Sequence, residues 1–343
     1  MAGRKTFRKV ITSDELISQI NKENQKLVDR FLKNFATKRS PKSVTVYRSN
    51  LNIFFVWNLL ENSNKPFAKI RKLEMLDFFD YALSELKWSP NRFHQAHSSL
   101  SSFSNWIENY FDEVEGYENF RNIVKKIEKP SKEAVREKTV LKEEDIDKIF
   151  AALDEENRIQ EQCLLALAIS CGARVSELAQ FTISLIDEEN TVFDGLFLET
   201  TEKIRTKGSG VQGKLLKKYI LKDMFLPYYH KWLVEREKIL EETGQNHGSL
   251  FITKDGKPAN ADRLRDWIGT WSDIVGQSVF PHCLRHYNVS MYKRLDLDDD
   301  LIVYLTGWAE GTGHTMISIY NDNEITDEKF ECLNNLKDFL NNK

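Results

Sequence analysis

The chain has 343 residues, 41% hydrophobic and 29% charged, an ordinary globular composition, and at about 150 residues per domain it is long enough for two domains. Its longest apolar runs, at 53–57 and 163–169, fall well short of the ~18 residues a membrane span needs, so no membrane role is expected. Residues 1–18 begin basic but hold no apolar signal-peptide core, and Cys163, Cys171, Cys283 and Cys332 form neither a Cys-x-x-Cys pair nor a metal-ligand spacing. The expectations are a cytoplasmic location, reduced thiols, and no metal or other cofactor.

The formal net charge of −3 hides an asymmetry. Residues 1–140 carry 25 Lys and Arg against 17 Asp and Glu, a balance of +8, while 141–343 carry 24 against 35, a balance of −11. A basic front half fits a surface that neutralises nucleic-acid phosphates, and it equally fits a solvated charged face.

Residues 14–125 read as helix nearly throughout, with Leu27, Phe31, Leu32 and Phe35 on one stripe. Ser40-Pro41 opens a helix over 42–60 that turns Val46, Leu51, Phe54, Phe55 and Trp57 inward and leaves Lys42 and Arg48 outside. Helices over 72–86 and after Ser89-Pro90, the latter carrying Phe93, Leu100, Phe103, Trp106 and Ile107, complete a bundle of four or five. Aromatic residues at this spacing belong to a core rather than to base-stacking platforms. The segment KKIEKPSKEAVREK at 125–138 reads as a basic interdomain linker, either a solvated tether or a strap along a phosphate backbone.

A second domain begins near Leu141 with helices over 142–153, 158–171 and 173–181. Short β-branched or apolar stretches at 191–198, 202–206 and 215–221, punctuated by Gly208, Gly210 and Gly213, read as a small antiparallel sheet. Helices return over 225–243, 261–275, 282–295 and 299–305, and 326–341 places Phe330, Leu333, Leu336 and Leu340 on one stripe. The fold class is therefore mainly α with a small antiparallel β-sheet.

Three segments of the second domain set strong phosphate donors at element boundaries. In 171–178, CGARVSEL, Arg174 stands at a helix start and Glu177 one turn later can hold its guanidinium. In 281–286, PHCLRH, the i, i+3 spacing puts His282 and Arg285 on one face of a first helical turn. The third is Gly307-Trp308 followed by Tyr320. Each alone is weak, since Arg–Glu pairs of this spacing are common ion pairs and a lone tyrosine is usually core.

In this order and at these separations the three segments resemble the active-site motifs of the tyrosine recombinase, or phage integrase, family, over roughly residues 20–340. The resemblance implies a helical core-binding domain at 14–124, a linker at 125–140 and a mixed α/β catalytic domain at 141–343 ending in an oligomerisation helix. It implies that Arg174, His282, Arg285 and Trp308 hold the scissile phosphate, that Tyr320 is the nucleophile, and that Lys207, in Arg205-Thr206-Lys207-Gly208, is the hairpin lysine that protonates the leaving oxygen. Glu177 then supports Arg174, and His286 is either a supporting residue or a packed helix histidine. The separation of Arg285 from Trp308, 23 residues, agrees with the family pattern, whereas the 12 from Trp308 to Tyr320 exceed it through the glycine-rich 309–313. Gly313-His314 is the other candidate for the Gly-His/Trp position.

Two arginines suit such chemistry because their planar forks bind the non-bridging oxygens of a phosphodiester attacked without a metal, and covalent catalysis by tyrosine keeps the break reversible without ATP. Lys42, Arg48, Arg92, Lys125 and Lys126 are the expected DNA-contacting residues. The expected partners are double-stranded DNA with specific, inverted-repeat sites and further copies of the chain, as a tetramer on DNA. The alternatives are a recombinase-fold repressor or regulator without catalysis, and a type IB topoisomerase-like enzyme.

Overall fold

The computed structural model describes residues 11–131, 139–206, 213–295 and 297–307. The chain divides into two compact units that part between Glu137 and Lys138.

The first unit is helical: α1 (Asp14–Gln19), α2 (Lys22–Ala36), α3 (Pro41–Glu61), α4 (Lys72–Ser84) and α5 (Pro90–Tyr110). The expected opening helix is broken at Ile20-Asn21, where the Asn21 side chain accepts from the Glu23 N–H at 2.8 Å and restarts the chain as α2. Both Ser-Pro pairs start helices as expected: Ser40 and Ser89 cap, and Pro41 and Pro90 occupy the first turn, where a missing N–H costs nothing. The core is aromatic, with Phe54, Phe55, Phe67, Phe78 and Phe103 fully buried and ring centroids 4.9 Å apart for Phe67 and Phe103. Residues 125–131, read from sequence as linker, begin packed on this core. Val124 and Ile127 are buried, and the His94 ring lies 2.9 Å from the Pro130 carbonyl. One isoleucine among lysines does not show as an apolar face, which is why the segment read as an interdomain linker rather than as part of this core.

The second unit starts with α6 (Glu143–Glu155) and α7 (Ile159–Cys171). Every residue of α7 from Gln162 to Cys171 is buried, so it is apolar all round and acts as the axis of the unit. It packs on α9 (Lys222–Thr243) and α12 (Pro281–Arg294). Between α7 and α9 lie α8 (Val175–Leu178) and five short strands, β1 (Thr191–Val192), β2 (Phe197–Glu199), β3 (Ile204–Thr206), β4 (Lys214–Leu216) and β5 (Tyr219–Leu221). The remaining helices are α10 (Ala261–Thr270), α11 (Ser272–Val275) and α13 (Asp299–Thr306).

The strands form two antiparallel groups rather than one sheet: β1-β2-β5, with Leu198 opposite Ile220, and a separate β3-β4 pair, with Arg205 opposite Leu215. The stretch 191–198 turns back at Phe193, Asp194 and Gly195, all with positive φ. The stretch 215–221 is split at Lys217-Lys218, so its halves join different groups. Among the described residues no helix is long and apolar enough to cross a membrane.

One buried histidine makes the first unit pH-sensitive. His97 is 2% exposed, its Nε2 lies 3.1 Å from the Val124 carbonyl, and burial, reinforced by Lys129, depresses its pKa from 6.5 to about 4. Its unfolded-state pKa is the higher one, so the unfolded chain binds the extra proton as pH falls. The contribution is complete above pH 6.5 and is lost between pH 6.5 and about 4, by up to about 3 kcal/mol. Denaturant unfolding across this range should therefore show a steeper acid loss in wild type than in His97→Gln. Parallel pH profiles would refute the assignment.

Candidate catalytic site and nucleic-acid interface

The site grows from the C-terminal end of α7. Gly172 ends the helix at φ +56°, and a Cβ there would lie 2.4 Å from Asn288 Oδ1, so the turn needs glycine both for conformation and for space. Two residues on, Arg174 caps α8. Glu177 on that helix reaches back with Oε2 to the Arg174 N–H at 3.1 Å and with Oε1 to its Nη1 at 2.9 Å. The Arg174 side chain is 23% exposed while that of Glu177 is 0% exposed, so a partly exposed guanidinium stands on a buried anchor.

Lys218, which the sequence reading did not single out, completes the anchor. It lies between β4 and β5, its side chain is fully buried, and Nζ donates to Glu177 Oε2 at 2.7 Å. Burial opposes both charges. For Glu177 the Lys218 ammonium and the Arg174 guanidinium outweigh it and hold the carboxyl below the usual carboxylate range. For Lys218 burial prevails over the attraction of Glu177, and the ammonium lies below the usual lysine range. The signal was present: in an apolar strand, adjacent lysines must point to opposite faces, so one of Lys217 and Lys218 points inward.

Arg285, Asn288 and Tyr292 lie on one stripe of α12 and donate to the carbonyls that α7 leaves open at its end. Arg285 Nη1 bonds Gly172 O at 2.5 Å, Asn288 Nδ2 bonds Ile169 O at 2.7 Å, and the Tyr292 hydroxyl bonds Ser170 O at 3.4 Å. Arg285 Nη2 also bonds Thr306 O at 3.1 Å, just before Gly307. The i, i+3 spacing foresaw His282 and Arg285 on one face, yet His282 is exposed while Arg285 is 1% exposed. His286 is buried within α12. Lys207, Trp308 and Tyr320 lie outside the described residues, as does the expected C-terminal helix. Among the described residues no three His, Cys, Asp or Glu side chains come together as a metal site.

Thus Arg174, backed by Glu177, and Arg285 are both seated at the C-terminal end of α7, the first with a partly exposed guanidinium and the second with both Nη atoms on backbone carbonyls. In the first unit Lys42, Arg48, Lys125 and Lys126 are exposed, and Arg48 pairs with Asp29 at 3.0 Å. Arg92 stacks over Trp88 at 4.3 Å. Lys125 also lines a polar groove of about 380 Å³ with Ser98, Ser101, Ser102, Asn122 and Lys129. Its hydroxyl stripe on α5 was hidden in a helix read only for its apolar face.

Removing one partner of a fully buried pair strands the other. Glu177→Ala leaves the Lys218 ammonium alone and should cost about 3–5 kcal/mol in denaturant unfolding. A loss below about 1 kcal/mol would mean that water or another group replaces the carboxylate.

Residues 139–326 match the phage integrase family. No curated protein sequence matches the chain. Several solved structures share its fold. The Tn1549 transposon integrase in complex with transposon right end DNA is 12% identical and superposes with a TM-score of 0.66, over 92% of this chain and 99% of that one. A lambda integrase tetramer bound to a Holliday junction is 17% identical with a TM-score of 0.60, over 87% and 77%. The XerH site-specific recombinase bound to difH substrate is 16% identical with a TM-score of 0.59, over 84% and 77%. With a family match across more than half its length and this mainly helical fold around a small antiparallel sheet, the chain belongs to the phage integrase family.

Proposed function

We propose that the protein is a site-specific tyrosine recombinase that cuts and rejoins duplex DNA through a 3′-phosphotyrosine intermediate. The observation that supports this most is the seating of Arg174 on a fully buried Glu177–Lys218 anchor, beside the α7 end to which Arg285 is bonded. In this reading Arg174 and Arg285, with His282 and the indole N–H of Trp308, bind the non-bridging oxygens as charge develops on them. The Tyr320 oxygen attacks phosphorus, the bond to the 5′ oxygen breaks, and Lys207 gives that oxygen its proton. Arg285 contacts backbone carbonyls while nearly buried, so its engagement with phosphate requires DNA to open its surroundings.

Residues 14–124 are proposed as a core-binding module touching DNA through Lys42, Arg48 and Arg92, with Lys125 and Lys126 at the start of the linker adding to the same surface. Residues 141–343 are proposed as the catalytic module, with its last helix joining protomers. The lambda integrase neighbour is a tetramer on a Holliday junction, which supports a tetrameric assembly on DNA here. A second reading, a DNA-binding regulator without catalysis, is favoured by the inward Arg285 and by the −11 balance of residues 141–343.

A duplex enriched by binding from a randomised pool, then nicked near its centre so that religation is prevented, separates the two. Wild type should form a covalent protein–DNA adduct that is absent in Tyr320→Phe and Arg285→Ala. Tight binding with no adduct from wild type would establish the regulator instead. For the DNA-facing surface, affinity should fall on the order of 10³-fold between about 50 and about 200 mM salt if some six phosphates are neutralised. The salt slope should become shallower in Lys42→Glu and Arg48→Glu, and a slope insensitive to both charges would place the interface elsewhere.

A further inference from the structure

We infer that Lys218 is a positioning residue for the phosphate site: it fixes Glu177, and through Glu177 it fixes Arg174. The inference rests on the recombinase reading above. Three observations carry it.

The first is geometry. Glu177 Oε2 accepts from Lys218 Nζ at 2.7 Å and Oε1 accepts from Arg174 Nη1 at 2.9 Å, so one carboxylate is held by a buried cation on one side and presents an exposed one on the other. Without Lys218 the carboxylate would keep only its two bonds to Arg174, the residue it positions, and would lose its tie to the strand junction.

The second is rigidity of the support. The Lys218 backbone is bonded in both directions to buried Thr200: its N–H donates to Thr200 Oγ1 at 3.0 Å, and its carbonyl accepts from the Thr200 N–H at 2.9 Å. Thr200 Oγ1 in turn donates to Glu202 O at 2.8 Å. Neighbouring Lys217 is turned the opposite way, with Nζ on Thr200 O at 2.6 Å and Thr201 O at 2.7 Å. The lysine pair thus straddles the junction of the two strand groups and sends only one amine to the site.

The third is the place of that amine near Gly307. A Cβ on Gly307 would lie 3.5 Å from Lys218 Nζ and 3.1 Å from Leu216 Cδ1, so the amine underlies the turn whose preceding carbonyl, Thr306 O, accepts from Arg285 Nη2. Lys218 therefore stands between the supports of both arginines. As a source of stability alone an apolar pair would serve as well as a buried ion pair; a fixed orientation is what the charges add.

The test is single-turnover cleavage of the nicked duplex, in which the rate constant reports the geometry of folded molecules and the amplitude reports how many are folded. Lys218→Met should lower the rate constant ~100-fold, as a misplacement of ~1 Å does, with DNA affinity and amplitude near those of wild type. A wild-type rate constant with reduced amplitude would make Lys218 structural only and overturn the inference. If Lys218→Met does not fold, Lys218→Met/Glu177→Gln, neutral at both positions, carries the same comparison: a depressed rate constant supports the inference and a wild-type one overturns it. Against Glu177→Gln alone, the double variant should be no slower than the slower single, because both act through one contact. Losses that multiply would show that Lys218 acts independently of Glu177 and would overturn the inference as well. No adduct from wild type removes the recombinase reading and this inference together, whereas adduct formation with Lys218→Met at full rate removes this inference alone.

Discussion

A fully buried carboxylate stays ionised only if cations or hydrogen-bond donors hold it, and that requirement organises the second unit. Glu177 meets it with Lys218 behind and Arg174 in front. For both cations to reach it, the α7 end, the short α8 and the junction between two strand groups must converge on one point. The full burial of α7 imposes a companion constraint, since its last carbonyls cannot reach solvent and must be met by side chains. α12 meets them with Arg285, Asn288 and Tyr292. The candidate phosphate site therefore lies where two obligatory satisfactions coincide, and its arginines are parts of the frame as well as candidates for chemistry.

How much of this was legible follows from which signals are local. Helix starts at Ser40-Pro41 and Ser89-Pro90 are written in adjacent residues and appear where the sequence places them. The Arg174–Glu177 pair is likewise one helical turn and could be read directly. Lys218 is 41 residues from Glu177, and no local pattern joins them. Only the pleat of an apolar strand carrying two lysines hints that one of them is buried, and reading 215–221 as a single strand concealed the break that puts it there. The inward turn of Arg285 was equally invisible, because helical spacing predicts which residues share a face but not which of them the neighbouring helix covers.

The uneven charge of the chain acquires a more specific meaning in the structure. Much of the acidic excess of the second unit lies at helix starts: Glu143, Glu144 and Asp145 open α6, and Asp298 caps α13 with Asp299 and Asp300 in its first turn. There Asp145 and Asp298 accept from open N–H groups and the whole set complements the helix dipole, so local structure accounts for these carboxylates. Glu177 is acidic for a different reason, as the counter-charge of two basic residues. Net charge, summed over such roles, says little about where a polyanion could approach.

The separation of the strands into two groups has a mechanical result. The β3-β4 pair shares no ladder with β1-β2-β5 and connects to β5 only through Lys217-Lys218, whose backbone is bonded to Thr200. Hydrogen-bonded sheets transmit strain from strand to strand, and here that transmission is interrupted. The β3-β4 pair is held instead by the Gln180 side chain, which accepts from the Arg205 N–H at 3.2 Å and donates to the Arg205 carbonyl at 2.9 Å, so a load on this pair is passed to the segment that follows α8 rather than to the other strands.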